Sequence, residues 1–142
     1  MRTAIRLNYC LVVAAAWFGA AAPALAQAPR SVADGAYSPV QAMRGDSLFR
    51  NVCGSCHSTS EFTTADFRGL WAGKSVFTLF DQLRATMPQD NPGGLSRELY
   101  AAVIAYILQL NTYPASEIDL PHGDDELKNI FFPQAAAPNS RR

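Results

Sequence analysis

Apolar positions recur at helical spacing in three stretches of the chain. The first contains Val40, Met43, Leu48, Phe49 and Val52, and it follows Ser38-Pro39-Val40-Gln41. There Ser38 reads as an N-cap, Pro39 as the first helical residue and Gln41 as the residue completing a capping box. A helix from about Pro39 to about Asn51 is predicted, with Met43 in the core. The second starts at Ser75 and carries Val76, Leu79, Phe80 and Leu83 up to Met87, where Pro88 forces an extended turn. The third, and most regular, starts at Ser96 and carries Tyr100, Val103, Ile104, Ile107 and Leu108 through Asn111. Gly45 costs about 1 kcal/mol relative to alanine inside a helix. A close approach of another backbone is therefore expected there, and Ala101, Ala102 and Ala105 of the third helix permit one.

The intervening segments read differently. Residues 58–73 are loop-like, with Phe62, Phe67, Leu70 and Trp71 as apolar members, and Asp90 to Gly94 is a turn. These patterns divide the chain into a flexible lead over 27–37, a folded domain over 38–114 and an extension over 115–132. The extension carries Ile118, Leu120, Leu127, Ile130, Phe131 and Phe132, with a short helical turn near Asp124 to Asn129. It is expected to dock on the domain or, through its last three apolar residues, on a partner protein. Residues 133–142 read as a disordered tail.

The N-terminus has its own character. Arg2 and Arg6 precede a short, uncharged, alanine-rich run that ends at Ala24-Leu25-Ala26. This is the pattern of a secretory signal peptide over 1–26, cleaved near Ala26, and it predicts a periplasmic protein. Left uncleaved, the same run would be the protein's one membrane contact. The chain has 12 basic and 12 acidic residues without Lys/Arg blocks, which gives no electrostatic footprint for nucleic acid.

Export removes Cys10 and leaves Cys53 and Cys56, so the chemistry concentrates in Cys53-Gly54-Ser55-Cys56-His57. C-x-x-C-H is the pattern of c-type haem attachment. Two thiols add across the haem vinyl groups, and the adjoining His57 is held under the iron as proximal ligand. A thioredoxin-like pair would want a βαβ setting, which the flanking sequence lacks. A zinc site would need a fourth ligand, and the other histidine, His122, sits in a polar tail. A plain disulfide leaves His57 unexplained. Because C-x-x-C-H occurs once, one haem c per chain is expected.

For the sixth iron ligand, a thioether on a loop is the residue to look for, and Met87 in Ala85-Thr86-Met87-Pro88 meets that description. The alternatives are a helix-end core methionine at Met87, or His122 as ligand. Phe67, Trp71 and Pro88 are candidate neighbours of the haem, with the Trp71 indole N–H a candidate donor to a propionate.

Gly45-x-x-x-Phe49-x-x-x-Cys53-x-x-Cys56-His57, Val103-Ile104-Ala105-Tyr106 and Met87-Pro88 followed by Pro92-Gly93-x-Leu95-Ser96 together resemble a class I c-type cytochrome. The resemblance spans roughly Gln41 to Asn111. It implies an all-α cytochrome c fold, three main helices with loops wrapped around one covalently attached haem, and Tyr106 as the aromatic partner at the helix crossing. It also implies an electron carrier rather than an enzyme. Trp71-Ala72-Gly73-Lys74 and Leu110 to Ala115 are similar to cytochromes associated with periplasmic quinoprotein or sulfur-oxidising dehydrogenases. That similarity implies a dehydrogenase as electron donor and another cytochrome or a terminal oxidase as acceptor. A permanent cytochrome subunit of a dehydrogenase complex, and a haem enzyme or gas sensor with an open distal site, are the competing classes. The chain departs from the lysine-ringed type, with only Lys74 and Lys128 in its whole length. Docking through an apolar haem-edge patch is therefore expected.

Overall fold

The computed structural model describes residues 30–134. The expected signal peptide over 1–26, the start of the expected lead and the end of the expected tail lie outside the described residues. Two short strands and five α-helices follow one another in the order β1 (Arg30–Ser31), α1 (Pro39–Leu48), α2 (Ala65–Trp71), α3 (Val76–Thr86), α4 (Arg97–Leu110), α5 (Asp124–Lys128) and β2 (Ile130–Phe131). Short 3-10 turns occupy Val32–Asp34 and Thr59–Thr63. The three longest helices, α1, α3 and α4, are those the hydrophobic pattern predicts.

The central contact is the crossing of α1 over α4. A Cβ at Gly45 would collide with the Ala102 carbonyl, so only glycine lets the two backbones meet. Phe49 and Tyr106 meet beside this point with ring centroids 5.7 Å apart. The crossing also dictates which face of α1 turns inward. Gln41, Ala42, Gly45 and Phe49 are buried, whereas Val40 and Met43 are exposed, the latter at 61%. Met43 is therefore not a core residue as the spacing predicts. At 100° per residue it stands about 160° around the helix from Gly45, and Val40 about 140°.

Ser38 caps α1 by accepting the Gln41 N–H at 3.1 Å, but Gln41 does not complete a capping box. Its amide is instead buried against Leu120, donating to the Leu120 carbonyl at 2.9 Å and accepting the Leu120 N–H at 2.7 Å. This pair of hydrogen bonds fastens the extension to α1. Leu120, Leu127, Ile130 and Phe132 are buried in the common core with Trp71, Val76, Phe80 and Ile104.

Two expectations give way here. Residues 30–37 form no loose lead: Val32, Ala36 and Tyr37 are buried, and Arg30 and Ser31 pair in parallel with Ile130 and Phe131. The apolar side chains of the lead are too sparse to show a period, so their burial is not visible in the pattern. Within the expected loop over 58–73, Thr64 caps α2, its side chain accepting the Phe67 N–H at 3.0 Å. Gly73, at φ 72°, ends the excursion in a conformation that suits glycine.

Candidate functional site

Helix α1 does not stop at Leu48 but widens into a π turn over Phe49–Cys53, closed by the Gly54 N–H on the Phe49 carbonyl at 2.7 Å. Such one-turn insertions are common at functional sites because they re-aim the side chains that follow. Here the following side chains are Cys53, Cys56 and His57. The Cys53 carbonyl accepts from the N–H groups of both Cys56, at 3.1 Å, and His57, at 2.9 Å, which folds the motif into one tight turn. Both cysteines are free thiols, Cys53 partly buried and Cys56 exposed. Burial pushes the Cys53 thiol above its ordinary pKa.

The His57 ring is oriented by a residue that the sequence reading did not single out. Nδ1 of His57 lies 3.1 Å from Oε2 of Glu61, while Oε1 of the same carboxylate accepts the Ser58 backbone N–H at 2.7 Å. These two contacts, the Ser58 N–H first, hold the Glu61 carboxyl below the usual carboxylate range. Ser58-x-x-Glu61 is a capping box at the start of the turn over Thr59–Thr63, and that four-residue signature was the available signal.

Aromatic rings continue the site away from His57. Phe62 stands edge-on to His57 at 5.7 Å and to Phe67 at 5.5 Å, and Phe67 is 6.1 Å from Trp71. Trp71 is buried, and its Nε1–H finds no hydrogen-bond partner among the described residues. Buried indole N–H groups nearly always have an acceptor, so this donor fits an acceptor supplied by a bound group. Two free thiols, an imidazole whose Nδ1 is engaged and whose Nε2 is left to ligate, and an orphaned indole N–H together fit a covalently held haem.

Met87 and Pro88 belong to a second element, the end of α3. Met87 is extended, with φ −128° and ψ 149°, and its carbonyl accepts the Tyr100 hydroxyl at 2.6 Å. Asn111 donates from Nδ2 to the Phe62 carbonyl at 2.8 Å. Tyr100 and Asn111 are eleven residues apart, three turns and about 16 Å along one face. Helix α4 with its C-cap Asn111 thereby ties down both the loop that follows His57 and the loop that carries Met87. Both lysines are engaged with rings, Lys74 over Trp71 and Lys128 over Phe77. His122 is placed against Glu98, 3.2 Å away, in the extension.

Residues 40–107 match the family described as cytochrome c oxidase, cbb3-type, subunit III. The matched stretch runs from α1 into α4 and takes in the crossing, the cysteine turn and Met87. Over these residues the chain is similar to c-type cytochrome domains. No curated protein and no solved structure matched. The mostly helical architecture agrees with the all-α fold of such domains, which carry covalently attached haem c and serve in electron transfer. The matched stretch is extended on both sides by segments the match does not include, 30–39 and 108–134, and these close over its core.

Proposed function

We propose that the protein is a periplasmic monohaem cytochrome that passes single electrons from a dehydrogenase to a respiratory acceptor, with Cys53 and Cys56 attaching the haem and His57 and Met87 ligating its iron. The observation that carries this reading is the tight turn in which two free thiols and an oriented imidazole follow the π turn. When bound, the haem supplies a one-electron ferric/ferrous couple.

The protein residues set the conditions for that couple. Glu61 fixes the ring plane of His57 and leaves Nε2 to coordinate. Tyr100 anchors the backbone of Met87, so its thioether is offered from an extended, proline-bounded segment. Phe62, Phe67 and Trp71 provide apolar walls, and burial in such surroundings favours the state with less charge on the iron. The balance of charges on the domain leaves partner docking to apolar contact with modest steering.

The test is the optical spectrum of the chain matured with haem, oxidised and dithionite-reduced, with carbon monoxide then added. The expected result is a six-coordinate spectrum unchanged by carbon monoxide, and rapid carbon monoxide binding after Met87→Ala. Carbon monoxide binding by the parent would instead favour the open-site class. The description of the matched family as an oxidase subunit favours a second reading, residence in a complex; co-purification with a membrane or dehydrogenase partner at fixed stoichiometry would establish it.

A further inference from the structure

Glu61 lies at the surface, with 53% of its side chain exposed, yet both of its carboxylate oxygens are committed. One oxygen accepts the Ser58 N–H, and the other faces Nδ1 of His57. The edge-on contact with Phe62 limits rotation of the same ring from another side. A histidine that donates its second ring N–H to a full negative charge is a more basic ligand than one that donates to a neutral group. Hydrogen bonding to the axial ligand is among the levers by which a protein sets the potential of haem iron.

Resting on the haem reading above, we infer that Glu61 is a positioning residue that strengthens His57 as the proximal ligand and lowers the midpoint potential of the cytochrome. Two effects act in the same direction. The hydrogen bond raises the electron density of the imidazole, and the negative charge favours the ferric iron, which carries the additional positive charge. Water screens the second effect at an exposed carboxylate, so the hydrogen bond supplies most of the shift.

The experiment compares parent, Glu61→Gln and Ser58→Ala as full chains matured with haem. It uses redox titration and proton magnetic resonance of the ferric form. Glu61→Gln keeps the size of the side chain, removes its charge and leaves one oxygen for two donors. Ser58→Ala removes the hydroxyl that accepts the Ser60 N–H at 3.3 Å and caps the Glu61 N–H, loosening the same turn while keeping the Ser58 N–H and the Glu61 carboxylate. Glu61→Gln is expected to shift the ferric/ferrous ratio toward ferrous by tenfold or more, about 59 mV for one electron. Ser58→Ala is expected to stay within twofold of the parent, and the His57 Nδ1 proton to exchange with solvent faster in Glu61→Gln only. A Glu61→Gln potential within twofold of the parent, or an equal shift in both variants, overturns the inference. A parent chain that attaches no haem overturns the haem reading itself, and this inference with it.

Discussion

The two thiols of the attachment turn sit in unequal surroundings, and the difference is measurable before haem is attached. Cys56 is exposed, whereas Cys53 is partly buried and its pKa is raised by that burial. The thiolate is the reactive form, so Cys53 needs a higher pH to reach a given rate. In the haem-free chain, alkylation by iodoacetamide near pH 8 is expected to label Cys56 first. Raising the pH should narrow the gap, as peptide mass spectrometry would show. The local turn of Cys53, Cys56 and His57 stands out in the sequence because C-x-x-C-H is a fixed short spacing. Met43 and Glu61 are not legible in the same way. Which side of α1 faces inward depends on α4, which is distant in sequence, and the role of Glu61 depends on how the turn after His57 closes. The capping signature was there, but it names only one carboxylate oxygen; the other meets His57, four residues back, only through the way this turn closes.

At the level of elements, α4 is the part to which the others are referred. It crosses α1 at Gly45, and its Tyr100, together with Asn111 at its C-cap, holds the two loops of the site. Gly45→Ala would force a methyl into the Ala102 backbone. Overpacking of this kind costs about 1–3 kcal/mol, and chemical denaturation should show that loss. Tyr100→Phe removes the hydroxyl that holds the Met87 carbonyl and should cost about 1 kcal/mol. In the haem-loaded protein, with Met87 as the proposed iron ligand, it should also speed displacement of the thioether by an added ligand such as imidazole, followed by absorbance. The strongly periodic helices are visible in sequence because an amphipathic face of three turns repeats enough to stand out. Helix α2 has seven residues, too few to repeat, and its sign was local: the Thr64 cap ahead of Phe67. The π turn carries no period of its own and interrupts that of α1.

For the whole molecule, the extension is part of the core rather than an appendage. Leu120, Leu127, Ile130 and Phe132 are each at most 6% exposed, and burying a side chain of this size stabilises by about 1.5–3 kcal/mol. Truncation after Pro114 would remove them, uncover Trp71, Val76 and Phe80 beneath, and leave the buried Gln41 amide without Leu120. Such a chain is expected to lose its cooperative thermal transition, as circular dichroism would report, and to expose Trp71 to fluorescence quenchers. Sequence alone left the extension between domain and partner because apolar residues declare only that they need cover.

The parallel pairing of Arg30 with Ile130 and of Ser31 with Phe131 joins residues one hundred positions apart. On a chain made from its N-terminus, β1 is among the earliest folded-domain residues to arrive and has no strand to pair with until nearly the last of them follow. Everything between, including the turn that takes the haem, comes to hand before the two ends are closed together. The fold is thus completed only once Ile130 and Phe131 have followed, and a product cut short before them presents an unpaired N-terminal edge and an uncovered core to any protease present.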